Sequence, residues 1–255
     1  MTHDEVEVAT LGPVTVRGAP QPFHRAAARE LVVYLAFHRE GVRHDEWACA
    51  LWPDRPVSSS TVYSTASDAR RALGRARDGA ARLPSGPRLR LDRSVRTDVD
   101  RFASLAGSGQ WIEALRLVRG PLFGGLRRSD WAVLDGTLVR VEASVVHAVL
   151  QGAAAFLSSG RATEAEWLVR RGLVVSPYDE RLYRVLLRAL AAQGNRLGLR
   201  AAMAQLLVMS GDPSVPRQPG GWEGAAWEPR HPETSALYRE LLSGWPATGG
   251  APARL

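Results

Sequence analysis

The chain has no lysine. All 33 of its basic side chains are arginine. That absence removes the ammonium needed by a P-loop, by a kinase-type ATP site and by a Schiff base with pyridoxal phosphate. Cysteine is nearly absent too. Cys49 stands alone, so no internal disulfide forms, and a reducing cytoplasm is the expected setting. Its place in WACALW predicts a buried helix position. No uninterrupted apolar run reaches about 18 residues, so no membrane span is expected. The N-terminus, MTHDEVEVATLG, is acidic and strand-like, unlike a signal peptide.

Catalytic frames are missing as well. The six histidines show no metal spacing, and no Gly-x-Ser-x-Gly elbow or Cys–His frame appears. Glu164 and Glu166 lie two apart, so on a helix they diverge and make no acid–base pair. Nothing points to an enzyme, a metal or a cofactor.

What is present is a core and a charge. Hydrophobic residues make up 45% of 255 residues, enough for one large or two modest domains. Net charge is +7, with a pI of about 10.5, which suits a polyanionic partner. Between Arg70 and Arg96 there are nine arginines against Asp78 and Asp92, a net +7 in 27 residues. That one segment carries a surplus equal to that of the whole chain.

Patterning gives the elements. Residues 6–18 read as two short strands around Leu11-Gly12-Pro13. Residues 25–39 and 44–52 read as helices, ended by Gly41 and Pro53. Ser58 to Thr61 offers several N-caps for a third helix running to about Arg77. There Val62, Ala66, Ala69 and Leu73 step at helical spacing toward the core. Tyr63, Ser64, Ser67, Arg70 and Arg71 are left for solvent or a ligand. Gly86-Pro87 then predicts a turn within a hairpin over 85–96, in which Leu89 and Leu91 alternate with Arg88 and Arg90. From Asp98 on the chain reads as helical: 98–107, 110–119, 130–158, 162–175, 179–193, 196–209 and 232–243. LSSGRATEAEWLVRRGL (157–173) matches AAQGNRLGLRAAMAQLL (191–207) at a shift of 34 residues, the period of tetratricopeptide repeats. Trp111, Trp131, Trp167, Tyr178 and Tyr183 are expected in the core of such an array. Residues 211–232, rich in Gly, Pro and Trp, read as a loop pinned by Trp222 and Trp227, and a frayed tail follows the last helix.

Strand pair, three helices and a hairpin is the order of a winged helix-turn-helix. With LGPVTVRG, ALWPD, VYSTASDARRALG and TDVDRF, and then WIEALRLVRGPLFGGL, SDWA and SPYDERLYRVLLRALAAQGNRLG, the chain resembles the SARP-type bacterial regulators over roughly residues 5–210. The resemblance implies a mainly α fold with small β hairpins. A winged helix (1–97) precedes a bacterial transcriptional activator domain of tetratricopeptide-like helices (98–210). Residues 211–255 form a linker, a short helix and a tail. It implies a cytoplasmic, DNA-binding transcriptional regulator, an activator by family type. Double-stranded DNA would be its ligand. The helical part would mediate self-association, as in a homodimer, or contact RNA polymerase or another protein.

On this basis the candidate DNA-binding residues are Ser60, Ser64, Ser67, Arg70, Arg71 and Arg75 on and after the third helix, and Arg88, Arg90 and Arg93 in the wing. The same arginines could instead form a solvated helix end and a charge-protected edge strand. Asp68 complicates the reading, because a carboxylate near phosphate is repelled. It either opposes binding or holds Arg71 or Arg75 in a fixed pose. If the helix no longer reads DNA, the chain is a protein-interaction module, as in similar C-terminal regions of larger multidomain bacterial proteins.

Overall fold

A computed structural model describes residues 5–209 and 231–245. The expected loop over 211–232, with Trp222 and Trp227, and the expected tail lie almost wholly outside those residues. By contacts the chain divides into two compact units, residues 1–145 and 146–255.

The first unit opens with β1 (Val6–Ala9) and β2 (Thr15–Arg17), paired antiparallel as the alternation predicts. Then come α1 (Ala26–Phe37), β3 (Val42–Arg43), α2 (His44–Leu51) and α3 (Ser59–Leu73). α3 stops short of Arg77 because Gly74 turns the backbone to φ +63°, a region glycine enters without strain. β4 (Arg88–Leu89) and β5 (Val95–Thr97) follow.

The expected 85–96 hairpin does not form, because its two strands pair elsewhere. β4 pairs with β3, while β5 leaves to pair in parallel with β1, giving the order β2-β1-β5. The divergence is built by Asp92. Its carboxylate accepts from the Ser94 N–H and hydroxyl at 2.8 and 2.6 Å, which turns the chain toward β1. The alternation itself holds: Leu89 and Leu91 are buried, and Arg88 and Arg90 are exposed.

Leu31, Val32, Leu35, Trp47, Leu51, Val62, Ala66, Ala69 and Leu73 pack one core against β1 and β5. Two buried acids tie it together. Asp98 begins α4 (Asp98–Gly107) and accepts from the Thr10 and Leu11 N–H groups at 2.7 and 3.0 Å and from Arg119 at 3.2 Å. Glu30, inside α1, takes Arg128 at 2.7 Å. α5 (Trp111–Leu115) is shorter than predicted, because the chain turns back and the Arg119 N–H donates to the Leu11 carbonyl. The expected single helix over 130–158 is two, α6 (Asp130–Leu134) and α7 (Thr137–Ser158). Gly136 breaks it at φ +74°, and Asp135 accepts from the Thr137 N–H at 2.8 Å. By length and composition alone α7 could cross a membrane, although Arg140, Glu142 and His147 interrupt it. Core helices of globular proteins pass the same test, and Val145, Val146, Val149 and Ala153 are buried.

In the second unit α8 (Ala162–Val175) packs on α9 (Glu180–Ala192), which also holds α10 (Arg196–Met209) and α11 (Pro232–Ser243). The 34-residue repeat is structural. Gly160 and Gly194 have φ +73° and +69°. At each, the next N–H reaches five residues back, Arg161 to Phe156 at 2.8 Å and Asn195 to Leu190 at 2.9 Å. These are matching helix stops that point each new helix back along the last. The matched pairs Leu168/Ala202 and Leu173/Leu207 are all buried. Tyr183 is fully buried and Trp131 nearly so, Trp111 and Trp167 are half-buried, but Tyr178 is 69% exposed, against expectation. It sits in the turn before α9, off the packed face.

Candidate nucleic-acid interface

α3 is started by Ser58, whose hydroxyl accepts from the Thr61 N–H at 3.3 Å. Its inner stripe, Val62, Thr65, Ala66, Ala69, Ala72 and Leu73, is buried. Asp68 belongs to that side, only 4% exposed. Its Oδ2 accepts from the backbone N–H of Arg25 at 3.0 Å, and its Oδ1 lies 3.8 Å from Arg71. Arg25 is the N-cap of α1, which has no side-chain cap and no acid in its first turn. Asp68 therefore supplies, from 43 residues away, the acceptor and negative charge that a helix start requires.

The outer stripe is different in kind. Ser60, Tyr63, Ser67 and Arg71 are exposed, with Ser64 half-buried beside them, at the spacing of one helix face. The Ser60 hydroxyl lies 2.9 Å from that of Ser58, and Ser64 donates to the Thr61 carbonyl at 3.0 Å. Tyr63 leans toward His44, ring centres 5.3 Å apart. No acid faces outward from α3.

Three of the candidate arginines are tied to the backbone. Arg70 donates its Nε–H to the Leu83 carbonyl at 3.1 Å, and Arg75 donates to Gly79 at 2.7 Å. Arg88 donates twice to Gly41, at 3.2 and 2.9 Å. Arg82, which patterning passes over, is buried and donates to the Leu73 carbonyl at 2.9 Å. These bonds stitch the segment after α3 onto the helix end and onto β3. Arg90 and Arg93 are exposed and border a cleft that also holds Arg39 and Arg96. Sequence periodicity offers no signal for those two, since one follows α1 and the other lies on β5.

Cys49 is exposed on α2, not buried as WACALW predicts, because Trp47 and Leu51 take the core side of that short helix. Cys49, Trp52, Val57 and Tyr63 line an apolar cleft of about 490 Å³ between α2 and α3. Among the described residues no group of three or more His, Cys, Asp or Glu could hold a metal.

Residues 97–198 match the bacterial transcriptional activator domain. The matched stretch begins at the cap of α4, where Asp98 bonds Thr10 and Leu11 just after β1, and ends inside α10. Over 95% of its length, the chain is similar in fold to EmbR of Mycobacterium tuberculosis, a structure solved in complex with a low-affinity phosphopeptide. The identity is 23% and the TM-score 0.63. The match spans 66% of that EmbR chain. No curated protein matches the sequence. The likeness shows the fold, a winged helix followed by a helical domain.

Proposed function

We propose that the chain is a cytoplasmic, non-enzymatic, DNA-binding transcriptional regulator, with α3 lying in the major groove and the turn between β4 and β5 on the phosphate backbone. The observation that carries this reading is the orientation of Asp68. The single acid of α3 is turned inward and consumed by α1, which leaves serines and arginine along the outward face. Ser60, Ser64, Ser67 and Arg71 would meet base edges and phosphates. Arg90 and Arg93 would reach the backbone, and Arg70, Arg75 and Arg88 would act with whichever guanidinium nitrogens their carbonyl bonds leave over. In this proposal residues 1–97 are the reading head. The activator domain, 98–210, would mediate self-association or contact RNA polymerase. Paired copies on direct repeats are natural, because one small winged helix meets few phosphates.

A second reading is favoured by one observation, the apolar cleft beside α3 with Tyr63 63% exposed at its rim. In it the winged helix is a protein-interaction module that no longer reads DNA. The phosphopeptide bound by EmbR makes a phosphorylated protein a natural partner to consider.

Fluorescence anisotropy separates the two. DNA from upstream of the chain's own gene is titrated against scrambled DNA at about 50 and about 200 mM salt. A preference of at least about a thousandfold that survives the higher salt supports the regulator. Equal affinity for both, erased by salt, rejects it in favour of the second reading.

A further inference from the structure

Four guanidiniums, Arg39, Arg90, Arg93 and Arg96, border a cleft of about 380 Å³ in the first unit, backed by buried Leu91 and Val95. One carboxylate, Asp100, shares it. That carboxylate is already committed. Its Oδ2 accepts from the Thr97 N–H at 2.9 Å as part of the α4 cap, and it stands 3.6 Å from Arg39, beyond a good hydrogen bond. Glu7, which lies across the ladder from Arg96, is taken by Arg17 and Arg101 at 3.1 Å each. Among the described residues, Arg90, Arg93 and Arg96 have no ion-pair partner. Arg39 is partly buried, and that burial pulls its guanidinium down from its ordinary value while Asp100 pushes it back up. Such a group gains from an anion delivered into the cleft.

We propose that this cleft is a phosphate-group site, filled by the phosphate or diphosphate of a small phosphoester. Guanidinium forks match tetrahedral oxyanions two bonds at a time. Four of them against one committed acid leave a local surplus of three charges, which suits a di- or trianion in a concavity. The site does not depend on α3 reading DNA.

The test is calorimetric titration of the full chain with sodium pyrophosphate, run beside anisotropy titration of scrambled duplex DNA. The variants are Arg39→Gln with Arg96→Gln, and a charge-matched control, Arg55→Gln with Arg116→Gln, on exposed positions elsewhere in the unit. A second pair, Arg90→Gln with Arg93→Gln, keeps the test decisive if loss of Arg39 lowers the melting temperature. The proposal expects either cleft pair to weaken the ligand at least about tenfold, and the control pair much less. Loss on pyrophosphate supports the site; loss on DNA alone returns Arg90 and Arg93 to the backbone contact proposed above and overturns the proposal. It is equally overturned if pyrophosphate does not distinguish the cleft pairs from the control. Ser67→Asp, which impairs α3 alone, should leave pyrophosphate binding unchanged, so the two claims fail separately.

Discussion

The carboxylate of Asp68 accepts a hydrogen bond from the backbone N–H of Arg25 at 3.0 Å. Through that bond the acid in the middle of α3 becomes the missing cap of α1. The charge that seems to argue against DNA binding is spent on holding two helices together.

Asp68→Arg should therefore gain no affinity for DNA and should unfold the first unit more easily. Asp68→Ala leaves a buried N–H without its acceptor, at about 1–3 kcal/mol. Asp68→Asn keeps an oxygen in place and should cost less, about 0.3–1 kcal/mol for the charge lost at the helix start. Chemical denaturation of the three variants checks the order. A stable Asp68→Arg with tighter DNA binding would make Asp68 a simple repellent.

Asp98 is the second such acid. It serves two N–H groups of the chain after β1 as well as Arg119, at 3% side-chain exposure. Asp98→Ala should cost about 3–5 kcal/mol, because it strands buried donors and a charge together. Arg119→Met should cost less, since it leaves the two backbone bonds intact. Equal losses in urea melts would mean the ion pair, not the backbone bonding, dominates.

In the second unit Gly172 lets α8 approach its neighbours. A Cβ there would stand 3.0 Å from Val149 and 3.1 Å from Leu182. Gly172→Ala should destabilise by about 1–3 kcal/mol despite alanine's better helix propensity. A rise in melting temperature would show that the contact can relax.

Asp179 caps α9 and binds Arg181 at 2.6 Å. Burial raises its carboxyl, but hydrogen bonds from the Arg181 side chain and backbone outweigh that and hold it below its ordinary 3.8. A depressed acid contributes stability that is complete above its unfolded value and is lost as pH falls through the lower folded one. Melting temperatures measured from pH 5 down to about 2 should fall less steeply in Asp179→Asn than in the parent. Parallel curves would remove Asp179 from the acid response.

Much of this was legible in the chain. The bounds of α4, α8, α10 and α11 follow from apolar spacing, Gly and Pro, because each element buries one clean stripe. The 34-residue repeat announced two matching helix stops, since only glycine takes their left-handed turn without strain. Strand pairing was not legible. β3 and β4 are two residues each, and their partners lie far off in sequence, so the alternation at Leu89 and Leu91 marks a face but no neighbour. Nor were the targets of the buried acids. Asp68 on the apolar side of α3 is a visible signal, but only the fold brings Arg25 to it. For the candidate site, sequence spacing selects the outward serines and Arg71, while the carbonyl partners of Arg70, Arg75 and Arg88 and the company of Arg39 and Arg96 come from tertiary structure.

DNA reading by α3 depends on its one acid facing inward, and adding an acid one residue earlier tests it. Ser67→Asp places a carboxylate on the outward face, directly before the inward one. Anisotropy on upstream DNA at about 150 mM salt should show affinity falling about tenfold or more, a cost on the order of 1 kcal/mol or more per nearby phosphate. The melting temperature should be unchanged. Unaltered DNA affinity in a folded Ser67→Asp protein would contradict the claim that α3 is the reading helix.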